Sequence, residues 1–116
     1  MITNTFTGTI QRGHGTGKKI GFPTLNIPIE DETLSGIYAA IVTLRGIEYH
    51  AAAYADTKRK LLEAHILAFN EDIYGQEVTV TLMHKVREDK RFENEVDLKT
   101  AIAKDIAAIE EYFAKL

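Results

Sequence analysis

Cysteine is absent from the sequence, and proline occurs only twice. Without cysteine the chain forms neither a disulfide scaffold nor a thiolate-ligated zinc site. No uninterrupted apolar run approaches the roughly 20 residues that a membrane-spanning helix needs. The opening stretch MITNTFTGTIQRG lacks the basic and then apolar build of a signal peptide. We therefore expect a cytoplasmic protein that does not associate with membranes.

An excess of positive charge is also missing. The chain has 14 Lys and Arg against 17 Asp and Glu, which gives a formal net charge of −3. This balance provides no general attraction for nucleic acid, so any basic site must be local. With 45% hydrophobic and 27% charged residues, the 116-residue chain has the composition of one globular domain, residues 1–116. We expect a monomer that does not bind nucleic acid.

Most of the chain has the residue pattern of β-strands. Strand-like segments cover residues 5–11, 36–44, 47–54, 61–69 and 77–86. In the last of these, Val78, Val80, Leu82 and Val86 alternate with polar residues, which predicts a half-buried strand. Short turns between the segments favour an antiparallel barrel or sandwich.

The C-terminal part changes to a helical period. Asn94 is a suitable helix N-cap, with Asp97 three residues later as a weak capping-box partner. An apolar stripe then recurs at spacings of three and four, formed by Leu98, Ile102, Ile106, Ile109 and Phe113. We expect this helix to pack against the strands.

The segment GHGTGKKIGFPTLN at 13–26 combines four glycines with two lysines. It does not fit the Walker phosphate loop, because three residues rather than four separate Gly13 from Gly17-Lys18, and Lys19 stands where Ser or Thr belongs. It does not fit the dinucleotide fingerprint either, because the third glycine is misplaced and no helix follows.

Phosphate binding is still chemically possible in this segment. Glycines let backbone N–H groups approach an anion closely, and Lys18 and Lys19 add positive charge. Thr24 and Asn26 are two residues apart, so in an extended segment both side chains face the same way. Their hydroxyl and amide oxygens are ligands that Mg²⁺ accepts together with phosphate and water. The alternative is a flexible hairpin loop followed by an edge strand.

Two further groups of polar residues allow more than one interpretation. Glu63 and His65 share a strand face with Leu61 and Leu67, where a carboxylate can serve as a general base. A Glu–His pair on a hydrated strand face is the alternative. The basic residues of VREDKRF at 86–92 could bind an anion, but their acidic neighbours also favour surface ion pairs.

Taken together, these segments resemble the riboflavin kinase family, which phosphorylates riboflavin to FMN and often forms the C-terminal half of bifunctional FAD-synthesising proteins. The most specific element is GFPTLN at 21–26, followed by EAHI at 63–66, YG at 74–75 and R-x-x-x-x-F at 87–92. The longer matching segments follow the family's order and cover nearly the whole chain: 8–28, 35–42, 61–67, 72–80 and 86–106.

The resemblance implies a fold, a reaction and a set of site residues. The fold is all-β, a small six-stranded antiparallel Greek-key barrel with one C-terminal helix packed against it. The substrates are riboflavin and Mg-ATP, the products are FMN and ADP, and Glu63 matches the catalytic carboxylate. Thr24 and Asn26 match the Mg²⁺ ligands. The positions that match nucleotide contacts are Gly13, Gly15, Gly17, Lys18, Lys19, Thr24, Asn26, Ile66, Ala68 and Tyr74. Those that match a flap over the flavin are Arg87, Lys90 and Phe92.

The sequence also departs from the family. Where relatives usually carry N-I-G-x-x-P-T, residues 53–60 read AYADTKRK, without the glycine or the proline. Many bacterial relatives carry an aspartate at the position of Ala68, and the adenylyltransferase half has no counterpart here. An alternative function is therefore a catalytically weak flavin- or nucleotide-binding regulatory module of the same fold. A barrel that binds single-stranded nucleic acid would need a basic groove with exposed aromatics, which the sequence does not suggest.

Overall fold

A computed structural model describes residues 4–11, 24–31, 33–69 and 71–116. Six strands and one helix lie in these ranges: β1 (Asn4–Thr9), β2 (Leu25–Pro28), β3 (Gly36–Leu44), β4 (Ile47–Asp56), β5 (Leu61–Ile66), β6 (Glu77–Arg87) and α1 (Glu95–Ala114). No helix in this part of the chain is long and apolar enough to cross a membrane.

The six strands form one antiparallel sheet in the order β1-β6-β3-β4-β5-β2. Strands β3, β4 and β5 follow one another as hairpins, and β6 returns to lie beside β3, which is the Greek-key arrangement. The two ends of the order, β1 and β2, also contact each other. At this closure a Cβ added to Gly8 would lie 3.3 Å from the Cβ of Ile27, so the strands approach closely. The predicted six-stranded antiparallel Greek-key barrel is confirmed.

Alternate residues of the strands fill the barrel interior. In β4 the inward side chains are Ala51, Ala53 and Ala55, and in β5 they are Leu62, Ala64 and Ile66. The intervening residues of both strands face outward and are half-buried. Because the inside is filled with apolar side chains, polar chemistry on these strands is confined to the outer face.

Helix α1 covers part of that outer face. Its N-cap is Asn94, whose Oδ1 accepts a 2.9 Å hydrogen bond from the Asp97 amide, as the sequence predicts. Near its C-terminus, Phe113 stacks on His50 of β4 with ring centroids 3.8 Å apart, and Tyr112 stacks on His84 of β6 at 4.9 Å. The helix therefore rests on the outside of the central strands, and the rest of the outer face lies beside it.

Several predicted strand boundaries are wrong. Strand β1 ends at Thr9 instead of residue 11, and Gln11 forms only an isolated bridge with Asn26. Strand β5 ends at Ile66 instead of residue 69, because the chain turns at Ala68, whose φ is 54°. Conversely, β4 continues two residues beyond Tyr54 to Asp56.

The alternation predicted for 77–86 holds only at its beginning. Val78, Val80 and Leu82 are buried, but the register between β3 and β6 shifts twice after them. Val86 falls at the second shift, between the paired residues Lys85 and Arg87, so it does not continue the buried row. Gly36 lies opposite this bulge with φ 95°, and a Cβ there would meet the Arg87 carbonyl oxygen at 2.4 Å.

Candidate active site

A row of directly paired residues crosses five strands on the outer face. Asn26 of β2 pairs with Glu63 of β5, and Glu63 pairs with Tyr54 of β4. Tyr54 then pairs with Ile37 of β3, which pairs with Arg87 of β6. Paired residues present their side chains on the same face, and adjacent strands lie about 4.8 Å apart. Asn26 and Tyr54 therefore flank Glu63 at neighbouring-strand distance.

Asn26 carries an unusual buried oxygen. The residue is 2% exposed, and its Oδ1 has no hydrogen-bond partner among the residues that the structure describes. The backbone around it is fixed, since the Gln11 amide donates a 2.6 Å hydrogen bond to the Asn26 carbonyl oxygen. A buried acceptor without a partner costs about 1–3 kcal/mol. A bound ion is one kind of partner that satisfies such an oxygen.

Glu63 lies half-buried between two polar neighbours. Its strand neighbours Leu62 and Ala64 point into the core, which fixes its own side chain on the outer face. The negative charge of Glu63 contributes to raising the pKa of Tyr54, so the two side chains interact electrostatically. A carboxylate held in this way is chemically suited to accept a proton.

Tyr54 connects the sheet to the loop that follows β6. Its hydroxyl donates a 3.1 Å hydrogen bond to Oδ2 of Asp89. Burial raises the pKa of Tyr54, and the hydrogen bond to Asp89 and the charges of Asp89, Asp56 and Glu63 raise it further. The phenol therefore stays protonated and remains a donor at neutral pH.

The β6–α1 loop, residues 88–94, begins with strong attachments. The Arg87 guanidinium binds Asp105 of α1 through two hydrogen bonds, from Nε at 2.8 Å and from Nη2 at 2.9 Å. Glu88 is bound by Lys85 and accepts a 3.2 Å hydrogen bond from the Ser35 hydroxyl. The start of the loop is thus held by the sheet and by the helix.

The same loop presents an aromatic ring between two cations. Phe92 is half-buried, with the Arg87 guanidinium carbon 5.6 Å and Lys90 Nζ 5.9 Å from its ring centroid. The three residues predicted to contact a flavin are therefore close together. Arg87 is also ion-paired with Asp105 of α1. The sequence predicted ion pairs for VREDKRF, but with the acidic neighbours in that segment and not with the helix.

The other predicted nucleotide contacts have different environments. Thr24 is exposed and directly precedes β2, two residues before Asn26. Ile66 points into the core and is 4% exposed, so only its backbone is available to a ligand at the surface. Ala68 is exposed in the turn after β5, and Tyr74 is 53% exposed in the turn before β6. The predicted phosphate-binding residues Gly13, Gly15, Gly17, Lys18 and Lys19 lie outside the described residues.

Sequence reasoning missed three residues that attach the β6–α1 loop to the sheet and the helix. Tyr54, Asp89 and Asp105 contribute a hydroxyl and two carboxylates that hold the β6–α1 loop. The sequence does contain a weak indication that Tyr54 faces outward, because alternation along 47–54 places its side chain on the face opposite the buried alanines. No local pattern indicates Asp89 or Asp105, whose partners are 35 and 18 residues away.

The residues of β2 fit a hard cation bound together with phosphate. The described residues contain no group of three or more His, Asp or Glu side chains able to hold a metal ion. Asn26, however, offers a buried amide oxygen without a partner, and the Thr24 hydroxyl is two residues away. Neutral oxygens of this kind suit Mg²⁺ when phosphate oxygens complete its coordination.

Comparison with known proteins identifies the family. A family model described as "Flavokinase: Riboflavin kinase" matches residues 2–113. The chain belongs to the riboflavin kinase family. The match includes every strand, the helix as far as Phe113 and all residues of the outer row.

Two curated members of the riboflavin kinase family illustrate the similarity. A bifunctional riboflavin kinase/FMN adenylyltransferase of Haemophilus influenzae is 35% identical over 115 residues, covering 91% of this chain and 37% of that protein. The RNA-binding riboflavin kinase RibR of Bacillus subtilis is 30% identical over 115 residues, covering 91% of this chain and 50% of that protein. The chain thus spans between about a third and a half of these relatives.

A solved structure supports the fold assignment. The crystal structure of a riboflavin kinase from Trypanosoma brucei superimposes with a TM-score of 0.70 at 21% identity, covering 97% of this chain and 78% of that chain. At this identity the likeness concerns the fold, which is the six-stranded barrel with its C-terminal helix.

Proposed function

We propose that the chain is a riboflavin kinase that transfers the γ-phosphate of ATP to the 5′-hydroxyl of riboflavin, giving FMN and ADP. The observation that carries this proposal is the pairing of Glu63 with Asn26, whose buried Oδ1 has no protein partner among the described residues. A proton acceptor and an oxygen that needs a ligand thus lie side by side. Membership of the riboflavin kinase family supports the same activity.

Glu63 is the proposed general base. In phosphoryl transfer the attacking hydroxyl loses its proton to a positioned acceptor, while most of the rate acceleration comes from positioning and charge stabilisation. Glu63 supplies the acceptor, and the pairing of β5 with β2 and β4 fixes its backbone on the outer face. The riboflavin 5′-hydroxyl would approach from the outer face, since the inside of the barrel is filled.

Asn26 Oδ1 and the Thr24 hydroxyl are the proposed protein ligands of Mg²⁺. When bound, the ion would neutralise charge on the nucleotide phosphates. The glycine-rich segment before Thr24, with Lys18 and Lys19, is proposed to hold the same phosphates. Ile66, Ala68 and Tyr74 are proposed to lie near the nucleoside, with Ile66 contributing through its backbone.

The β6–α1 loop is the proposed flavin side of the site. Phe92 offers an aromatic face to the isoalloxazine ring, and Lys90 lies beside it. Arg87 is proposed to act at this side too, with its guanidinium oriented by Asp105. We further propose that the protein works as a cytoplasmic monomer with these small molecules as its partners and without nucleic acid.

The direct test is to incubate the purified protein with riboflavin, ATP and Mg²⁺ and to separate the flavins chromatographically. The expected result is time-dependent FMN that requires both ATP and Mg²⁺. If the protein binds riboflavin but forms no FMN, it is instead the weak binding module, and the AYADTKRK tract is the first segment to exchange for a typical family sequence.

A further inference from the structure

Tyr54 lies in the tract where this chain departs from its family, and it occupies the centre of the outer row. Residues 53–60 read AYADTKRK. Within the row Tyr54 is the direct neighbour of Glu63, and its hydroxyl reaches out of the sheet to Asp89. Tyr54 therefore connects the strand beside Glu63 with the β6–α1 loop.

Most side-chain contacts that hold the β6–α1 loop lie at its two ends. Arg87 and Glu88 fasten its beginning to α1, Lys85 and Ser35, and Asn94 fixes its end as the helix N-cap. Asp89 contacts Tyr54, which lies on the same face as Glu63. Phe92 follows three residues later, so the position of Asp89 constrains where the ring of Phe92 can lie.

We propose that Tyr54 is a positioning residue for riboflavin: its hydrogen bond to Asp89 holds the β6–α1 loop beside Glu63 and so preorganises the flavin side of the site. This inference rests on the proposed riboflavin kinase function. It gives the AYADTKRK tract at 53–60 a role in riboflavin binding, although this tract lacks the glycine and proline usual in the family. Tyr54 makes no contact with the reacting atoms in this scheme.

The chemistry of the contact suits such a role. A phenol that donates to a carboxylate makes a charge-assisted hydrogen bond. Tyr54 is half-buried, so part of its side chain is shielded from water. Holding the loop in place before riboflavin arrives lowers the ordering cost of binding. The effect should appear in riboflavin affinity and KM, while kcat and Mg-ADP affinity stay unchanged.

The experiment is a double-mutant cycle on riboflavin affinity, followed by quenching of flavin fluorescence. The variants are Tyr54→Phe, Asp89→Asn and the double variant, which remove the donor, the acceptor charge and both. Tyr49→Phe is the matched control, because Tyr49 lies on the same strand but packs toward the core against Phe69. Hydrogen exchange of the 88–94 amides, measured without ligand, reports on the loop itself.

We expect each single variant to weaken riboflavin binding about 3–10-fold, with kcat within twofold of the starting value. The double variant should be no weaker than the weaker single variant, because both remove the same bond. Loop amides should exchange faster in Tyr54→Phe than in Tyr49→Phe.

Three results would overturn the inference. Riboflavin affinity unchanged in Tyr54→Phe, losses that multiply in the double variant, or loop exchange equal to that of the control would each show that the bond does not position the loop. None of these three results would contradict the proposed riboflavin kinase function. If the unmodified protein neither binds riboflavin nor makes FMN, the proposed function itself fails, and the inference fails with it.

Discussion

Glu63 owes its surroundings to strands that are distant in sequence. Asn26 comes from β2 and Tyr54 from β4, and both pair directly with Glu63. The core side chains on either side, Leu62 and Ala64, prevent the strand from turning over. The residue is therefore held by backbone register, and a change at the end of its side chain need not disturb the fold.

This separation makes Glu63→Gln an informative variant. Glutamine keeps the size and the hydrogen-bonding capacity of the side chain but does not take up the proton. We expect FMN formation to fall by about 10²–10⁴-fold, with riboflavin and Mg-ADP still bound and thermal stability little changed. Glu48→Gln, at an exposed position on β4, is the control and should keep full activity. Turnover that survives in Glu63→Gln would remove the assignment of the general base.

Asn26 allows a test of the metal assignment that does not depend on activity. If its Oδ1 binds Mg²⁺ with the nucleotide, Asn26→Ala should weaken Mg-ADP binding about 10–100-fold by titration calorimetry, since bonds to charged groups contribute about 1.5–3 kcal/mol. The unfolding free energy should change little, because the variant also removes an acceptor that lacks a partner among the described residues. ADP binding measured without Mg²⁺ serves as the control. Equal Mg-ADP affinity in both proteins would contradict the assignment.

The Arg87–Asp105 pair joins the end of β6 to the middle of α1. Both carboxylate oxygens of Asp105 are used, and its side chain is 7% exposed, whereas that of Arg87 is 27% exposed. The pair fixes the angle at which the chain leaves the sheet and enters the helix through the β6–α1 loop.

Asp105→Asn should therefore destabilise the fold. The substitution leaves a partly buried guanidinium without its counter-charge, and we expect the free energy of unfolding to fall by about 1–3 kcal/mol. Urea unfolding followed by circular dichroism measures this loss. Glu110→Gln, on the exposed face of the same helix, should stay within about 0.5 kcal/mol of the unmodified protein. An Asp105→Asn variant as stable as the control would show that the pair has no net effect on stability.

Local sequence patterns predicted some boundaries of the strands and the helix correctly and others incorrectly. The run GIYAAIVTL, apolar on both faces, located both ends of β3, and the Asn94 cap located the start of α1. The same reasoning placed the end of β5 three residues too late, because the left-handed turn at Ala68 carries no glycine to signal it. The sequence indicated β2 only as an extended segment, because four residues after a glycine-rich stretch are too few to show the alternation of a strand.

The site was predictable only where a motif is continuous in sequence. Thr24 and Asn26 lie within one short motif, and Glu63 lies within another. The bond between Tyr54 and Asp89, in contrast, depends on how β4 and β6 are arranged on either side of β3. The bulge before Arg87 further alters which residues of β6 face outward, and a register shift cannot be derived from alternation in one strand.

The environment of Tyr54 should affect how the stability of the protein changes at alkaline pH. Burial and neighbouring acidic groups raise the pKa of Tyr54 in the folded protein, while in the unfolded chain it ionises near pH 10. Above about pH 10 the unfolded state therefore loses this proton before the folded state does, and stability falls as pH rises.

We expect the unfolding free energy of the unmodified protein to decrease between pH 8 and pH 11 by more than that of Tyr54→Phe. Urea unfolding at a series of pH values measures the difference. Because the chain's other tyrosines remain in both proteins, comparison with Tyr49→Phe isolates the contribution of this position. Parallel stability curves for Tyr54→Phe and the unmodified protein would show that the Tyr54 pKa is not raised.

The alternation of β5 has a consequence for how this protein can evolve. Leu62, Ala64 and Ile66 serve folding, while Glu63 between them is proposed to serve catalysis. Substitutions on the outer face can thus change ligands or rates while the core stays the same. Insertion of one residue within β5 would exchange the two faces, burying a charge and exposing the core at once. We therefore expect insertions and deletions in related sequences to occur in the loops and not within β5.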